Sequence, residues 1–274
     1  MKKLLLACSA FATVMSWASN AMAGDIGLAP ATYDWSGGYV GVNAGAGFNN
    51  SSFKNNYYYA GQNDIDDATR GLIDDLDFSA KGNETAFTAG MLAGYNMEFS
   101  GFVLGAEADF NYLGFSSSKK NDVGDVMSQV LAPENTTATD SINYDSNWFG
   151  TVRGRLGYAF DNVLVYGTGG LAYGKMDVTQ KLVASNDSES ASWQGSTGGW
   201  NLGWTLGGGI EYGIDRWTIG AEYLYVDLGS YDWSAKGNVN LSDSTLQDDW
   251  SEVNEKGQAD LKFSIARATV KYRF

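Results

Sequence analysis

The residues of this chain that could do chemistry come in alternating pairs. Glu107 and Asp109 stand two apart, as do Arg153 and Arg155 and also Lys271 and Arg273, while Glu98, Glu211, Glu222 and Arg267 recur singly among glycine, aromatic and aliphatic residues. Two carboxylates held together can share acid and base duties. Two carboxylates opposite two guanidinium groups instead make a lattice of ion pairs. With Arg153 and Arg155 as the expected neighbours of Glu107 and Asp109, the lattice is the stronger reading. The 274-residue chain has no histidine, which removes the commonest acid–base group and any Ser-His-Asp triad. Glycines from Gly203 to Gly209 are closely spaced, but they lie inside an alternating run rather than ahead of a helix, and form no phosphate cradle. A formal net charge of −14 leaves no basic face for nucleic acid.

What must position these charges is strand. Apolar and polar residues alternate with period two in eight segments, at residues 38–48, 85–99, 102–115, 148–160, 163–174, 200–214, 217–228 and 262–274. Most reach the about 9–11 residues that a tilted membrane strand needs. Trp200, Leu202, Trp204, Leu206, Ile210 and Tyr212 share one face of the sixth; Asn201, Gly203, Thr205, Gly207, Gly209 and Glu211 share the other. The centre of the fifth, Gly167-Thr168-Gly169-Gly170, has no face to read. A soluble sheet would place the apolar face inside. Three features favour the inverse: aromatics at both ends of the apolar faces, glycine mixed with charge on the opposite faces, and five acids balanced by five bases there. Those ten are Glu98, Glu107, Asp109, Arg153, Arg155, Glu211, Glu222, Arg267, Lys271 and Arg273. Arg or Lys facing lipid at mid-bilayer would cost ~2–4 kcal/mol. Lys175 and Asp227 have the other parity, at strand ends where a wet rim is expected. The expected fold is all-β: an eight-stranded antiparallel up-and-down transmembrane β-barrel with the ten charges inside.

The connections support that fold. Ser100-Gly101, Asp161-Asn162 and Asp215-Arg216 are two-residue turns, whereas residues 49–84, 116–144, 177–197 and 229–260 read as four long polar loops. Short turns on one side and long loops on the other is the outer-membrane pattern, and an even strand count puts both termini on the short-turn, periplasmic side. Residues 1–23 read as a secretory signal: Lys2 and Lys3, an apolar run, then Ala21-Met22-Ala23 as a small-x-small cleavage site. Cys8 follows too short an apolar run for lipid attachment, and cleavage would leave residues 24–274 as one cysteine-free domain. The last strand ends Tyr272-Arg-Phe274 and is similar to the signal that the barrel-insertion machinery reads. The four loops hold 21 Asp or Glu against 8 Lys or Arg. Asp64-Ile-Asp66-Asp67 and Asp74-Asp75-Leu-Asp77 could bind divalent cations and bridge lipopolysaccharide, or simply keep an exposed surface soluble. Tyr57-Tyr58-Tyr59 could stack on a ligand or offer a phenolate to haem, or pack on the barrel rim.

Trp35-Ser-Gly-Gly-Tyr-Val-Gly-Val-Asn-Ala-Gly45, Trp148-Phe-Gly-Thr-Val-Arg-Gly-Arg-Leu-Gly-Tyr158, Tyr166-Gly-Thr-Gly-Gly-Leu-Ala-Tyr-Gly174, Gly203-Trp-Thr-Leu-Gly-Gly-Gly-Ile-Glu-Tyr212 and Glu222-Tyr-Leu-Tyr-Val-Asp-Leu-Gly229 together resemble the 25- and 31-kDa outer-membrane proteins of Brucella, Bartonella and rhizobia, within the OmpA-like barrel group. The resemblance covers nearly all eight strands and fails in the long loops. It implies an envelope-structural or surface-contact role without enzyme activity or obligatory cofactor. The expected partners are outer-membrane lipid and lipopolysaccharide, the barrel-insertion machinery and a host or surface ligand reached through the loops. Some relatives are described as porin-like or haemin-binding, so a narrow channel and haemin capture stand as alternatives.

Overall fold

The computed structural model describes residues 33–274 apart from 62–64 and 132–135. The signal-segment reading, with Ala21 and Ala23, lies outside the described residues, as does Asp64. Ten strands follow in chain order: β1 (Gly37–Asn49), β2 (Ser52–Tyr59), β3 (Phe78–Lys81), β4 (Thr85–Phe99), β5 (Phe102–Asp122), β6 (Thr137–Phe160), β7 (Val163–Ser185), β8 (Ser190–Ile214), β9 (Trp217–Asn240) and β10 (Val253–Arg273). Three helices lie between them: α1 (Asp67–Asp74), α2 (Gly124–Met127) and α3 (Ser244–Ser251). Strands β1 and β4 to β10 are antiparallel neighbours in sequence, and β1 pairs with β10 to close the ring at eight. The two remaining strands prolong ring members. β10 pairs with β1 as far as Asn49↔Phe263 and then with β2 from Ser52↔Asp260, so β2 carries β1 onward; β3 pairs with β2 and leads into β4.

At one end the turns take two residues, with Ser100, Asp161 and Asp215 at φ 52°, 53° and 53°. A positive φ in the first turn position matches the right-handed twist of the flanking strands. Between this turn end and mid-barrel the outer surface is apolar. Met91, Leu156, Leu202 and Leu206 are each at least 60% exposed, which only a hydrocarbon surrounding would make favourable. Aromatic side chains ring both edges of this belt. Phe102, Tyr158, Trp217 and Tyr272 lie toward the turn end, and Phe110, Tyr112, Trp148, Trp200 and Trp204 lie at the other edge.

Beyond the second aromatic ring the strands do not stop, which corrects the expectation of four loops. Strands β5 to β10 run 21 to 25 residues each, and most of the 116–144, 177–197 and 229–260 stretches is ladder-paired strand. Strand β7 explains why. Its even residues face inward throughout, and in the membrane part the outward ones are Val165, Leu171 and Tyr173. Above the ring the outward residues become Lys175, Asp177 and Lys181, while the inward ones become Met176, Val178, Leu182 and Ala184. Parity persists and polarity inverts, because water rather than lipid now wets the outside. In β9 the inversion is joined by a bulge. Gly229 adopts φ 78° and the ladder to β10 slips between Leu261 and Lys262. The inward set thereby changes from Leu224, Val226 and Leu228 to Tyr231, Trp233 and Ala235. Lys175 and Asp227, the two charges of discordant parity, face outward at this boundary, paired with Asp177 at 3.2 Å and Lys262 at 3.6 Å.

The interior is therefore layered. Tyr33, Trp35, Val103, Leu164 and Tyr166 fill the turn end; charged residues follow. A large apolar cluster around Leu113, Phe149, Val178, Leu224 and Phe263 comes next, and a second cluster around Leu76, Met127, Leu182, Trp193 and Trp250 fills the long end. The helices belong to that second cluster. Asp66 caps α1 by accepting from Thr69 N, and Asp243 caps α3 by accepting from Thr245 N and Leu246 N. The acid runs are partly consumed in this way. Asp66 is a cap, and Asp77 accepts from Tyr57 N at 2.9 Å and Asn56 Nδ2 at 2.7 Å.

Candidate functional site

Eight of the ten expected inward charges meet in one belt. Glu107 and Asp109 come from β5, Arg153 and Arg155 from β6, Glu211 from β8, Glu222 from β9, and Arg267 and Lys271 from β10. Each is 4% exposed or less. Strand register brings the first contacts together, since Glu107 pairs with Arg153 in the β5–β6 ladder and Glu222 with Arg267 in the β9–β10 ladder. Asp109 and Arg155 add further contacts between β5 and β6, and the other contacts cross the lumen. Arg153 donates to Glu107 Oε1 at 2.5 Å, Asp109 Oδ2 at 3.0 Å and Glu222 Oε1 at 2.8 Å. Arg267 donates to Glu222 Oε2 at 2.7 Å, Asp109 Oδ2 at 2.8 Å and Asn111 Oδ1 at 3.3 Å. Lys271 Nζ donates to Glu107 Oε2 at 2.5 Å and Glu211 Oε1 at 2.9 Å. Arg155 is shared between Glu107 and Glu211, and its guanidinium lies 3.9 Å from the centroid of the Tyr166 ring.

Four acids meet four bases, so the belt closes as a neutral unit. Such closure is what makes burial of ions tolerable, because each unpaired charge in a dry interior carries a penalty of several kcal/mol. Backbone geometry makes the room. Gly45 stands opposite Arg267 in the β1–β10 ladder, and a Cβ there would lie 2.8 Å from Arg267 Cβ. Chemically the belt is saturated. Every carboxylate is taken up by a guanidinium or ammonium group, which leaves none placed to exchange a proton with a substrate. Among the described residues no group of three or more Cys, Asp or Glu gathers as a metal cage.

Glu98 and Arg273 share the inward parity but not the height. Glu98 Oε2 accepts from Trp35 N at 2.9 Å, and Arg273 stacks on Tyr33 at 4.4 Å, so both serve the plug at the turn end rather than the belt. Tyr272 lies between Trp217 and Phe274, and Phe274 N donates to Gly38 O at 3.1 Å while its ring is 74% exposed. Tyr57 is turned inward and donates to Asp140, Tyr58 faces outward, and Tyr59 is half-buried. The three tyrosines therefore present no common face to a ligand.

Sequence reasoning missed the neutral members of the belt. Tyr39 donates to Glu107 Oε2 at 3.0 Å and accepts from Arg155 at 2.7 Å, and Tyr166 donates to Glu222 Oε1 at 3.0 Å. Both occupy inward parity, which was the available signal. It also missed Glu84, counted there among the loop acids. Glu84 ties the β3–β4 junction to Lys119 at 2.6 Å, Ser117 at 2.9 Å, Asn49 at 3.1 Å and the Tyr144 hydroxyl.

A family model described as outer membrane protein beta-barrel domain matches residues 4–274. The 31 kDa outer-membrane immunogenic protein of Brucella melitensis is 35% identical over 288 aligned positions, covering 100% of each chain. The 25 kDa outer-membrane immunogenic protein of Brucella abortus is 25% identical over 79% of this chain and 76% of its own. The 22 kDa outer membrane protein of Rhizobium leguminosarum bv. viciae is 30% identical over 57% of this chain and 60% of its own. Among solved structures, the outer membrane protease OmpT from Escherichia coli aligns at TM-score 0.41 and 8% identity, over 91% of this chain and 99% of that one, a likeness too distant to argue from. A closed eight-stranded ring with a lipid-suited belt and a neutralised charged interior agrees with the family match: this chain belongs to the outer-membrane protein β-barrel domain family and is an outer-membrane β-barrel protein.

Proposed function

We propose that the protein is a sealed, non-enzymatic barrel that supports the envelope and makes surface contacts through the section beyond the bilayer. The observation that carries this reading is the filled interior. Plug, charged belt and two apolar clusters follow one another along the interior, as expected when only eight strands enclose the lumen. The first described residues and Phe274 lie on the short-turn side, which is the periplasmic side in such barrels, so on this reading the long end faces outward. Its outer surface carries the acidic excess, and relatives of this chain are named outer-membrane immunogenic proteins. Membrane lipid and lipopolysaccharide surround the belt, the insertion machinery reads the strand ending in Tyr272 and Phe274, and a host or neighbouring surface molecule is the expected partner of the long end.

Planar-bilayer recording of purified folded protein tests the seal, with only rare, small events expected. Steady large openings would return the narrow-channel reading to first place. On intact cells an impermeant amine reagent should reach Lys181 and Lys256, both exposed at the long end; labelling only after permeabilisation would reverse the orientation. Haemin capture has less to work with, since Tyr57 is enclosed. A Soret shift abolished by Tyr58→Phe would restore it.

A further inference from the structure

Beyond the first apolar cluster the interior turns polar again, in a layer that the proposed role leaves without a task. Asp140 of β6 and Glu255 of β10 are fully buried there, among Asn55 and Tyr57 of β2, Gln180 of β7 and Trp233 of β9, each 5% exposed or less. Gln180 Nε2 donates to Asp140 Oδ1 and to the Tyr57 hydroxyl, both at 2.8 Å. Tyr57 donates to Asp140 Oδ2 at 3.3 Å, and Trp233 Nε1 donates to Glu255 Oε1 at 3.0 Å.

This layer lacks what the charged belt has, a balancing positive charge. Among the described residues every ion pair lies elsewhere. Burial accordingly pushes the Glu255 carboxyl up to about 7, and pushes that of Asp140 up against the hydrogen bonds it accepts. Oxygen atoms are also left over. Asn55 Oδ1, Gln180 Oε1 and Glu255 Oε2, together with one donor, Asn55 Nδ2, are buried without a hydrogen-bond partner, and the Asn55 side chain adjoins the Asp140 carboxylate. Buried polar atoms are paired in the great majority of cases, so a concentration of unpaired acceptors around two uncompensated acids calls for something that accepts electron pairs.

The barrel wall lacks ladder hydrogen bonds at the same height. Strands β8 and β9 pair at Trp193↔Gly237 and not again until Trp204↔Asp227, so residues 194–203 and 228–236 face each other without ladder pairs. Trp233 stands at this seam, close enough that a Cβ on Gly195 would lie 2.6 Å from its Cδ1, and Tyr231 bridges it to Gly199 O at 3.4 Å.

We infer that the layer is a site for one divalent cation of the calcium type, held by the Asp140 and Glu255 carboxylates and the side-chain carbonyls of Asn55 and Gln180, and reached through the β8–β9 seam. All the donors are oxygen, which selects a hard cation, and calcium accepts irregular sets of 6–8 oxygens with water completing the shell. Two positive charges neutralise the two acids, as the bases of the belt neutralise theirs. The site is distinct from the exposed acid runs at Asp66 and Asp74, whose members cap a helix or face water.

The test uses the folded full chain in detergent at pH 8, stripped with chelator, with terbium(III) as the probe for calcium. Saturable terbium luminescence excited through tryptophan and displaced by calcium is expected, as is a calcium-dependent rise in unfolding temperature. Glu255→Gln should weaken terbium binding by about tenfold or more, since affinity follows the charge of the ligand set. Asp232→Asn, on the exposed outer face of β9, should change neither readout. Equal binding by wild type and Glu255→Gln would assign the metal to surface acids and overturn the inference. So would a rise in unfolding temperature on acidification from pH 8 to 5 with none on adding calcium, which would put a proton in the cation's place. Should Glu255→Gln fail to fold, Trp233→Phe decides: sensitised emission should fall sharply, and unchanged emission refutes the site.

Discussion

Removing Arg153 from the belt is the sharpest test of how this barrel is held together. Its guanidinium is fully buried and bonded to Glu107, Asp109 and Glu222. Arg153→Met keeps an unbranched side chain of similar reach but leaves four carboxylates with three bases, one uncompensated charge in a dry interior. Breaking a buried pair from one side costs about 3–5 kcal/mol, a large part of the stability of a typical domain. The compensating change is Asp109→Asn in the same chain. Glu222 then keeps Arg267, Glu107 and Glu211 keep Arg155 and Lys271, and three acids again face three bases. The amide still offers an oxygen to Asn111 Nδ2, which donates to Asp109 Oδ1 at 2.7 Å. The double variant should recover more than half of the loss. Urea unfolding in lipid vesicles, followed by tryptophan emission with heat-modifiable gel migration as the folding check, measures both. A single variant within about 1 kcal/mol of wild type, or a double variant no better than the single, would refute the argument that neutrality of the belt is what stabilises it.

Three further outcomes follow from the same geometry. Leu156→Arg places a charge on the lipid face and should cost ~2–4 kcal/mol, whereas Val183→Arg, outward on the same barrel beyond the aromatic ring, should stay within about 0.5 kcal/mol; equal denaturant midpoints for the two would erase the boundary between the sections. Gly45→Val must displace the ladder around Arg267, whose Cα would lie 2.6 Å from the new Cβ, at an expected cost of about 1–3 kcal/mol, and an unchanged midpoint would mean slack in the wall. Although burial opposes it, hydrogen bonds from Lys119 and Tyr144 hold the Glu84 carboxyl down at about 2, against an ordinary 4.5. A lowered folded-state pKa stabilises above the ordinary value and loses that contribution as pH falls through the folded one, so wild type should weaken more steeply than Glu84→Gln between pH 4.5 and 2. Parallel acid profiles would remove Glu84 from the account.

Alternation made the ring legible. In a segment such as Trp200 to Tyr212 the two faces differ so much in polarity that sidedness follows from residue type alone, and the balance of acids and bases implied an enclosed interior. The long section was hidden by the same rule. Once strands leave the bilayer, inward residues are apolar and outward ones polar, so Val178, Leu182 and Ala184 read as scattered apolar residues in a polar loop. The bulge at Gly229 deepened the concealment by changing parity partway along β9.

Residue type and period by themselves determined the eight strands of the ring, the lipid-facing side and the eight charges of the belt, because a membrane strand has only two faces and the cost of error on one of them is severe. Tertiary structure alone decided which charges meet. Glu98 and Arg273 have the right parity yet lie at the wrong height, and Asp140, Gln180 and Glu255 come together from three separate strands. Height and cross-lumen distance depend on the stagger of the closed ring, and no single strand carries that information.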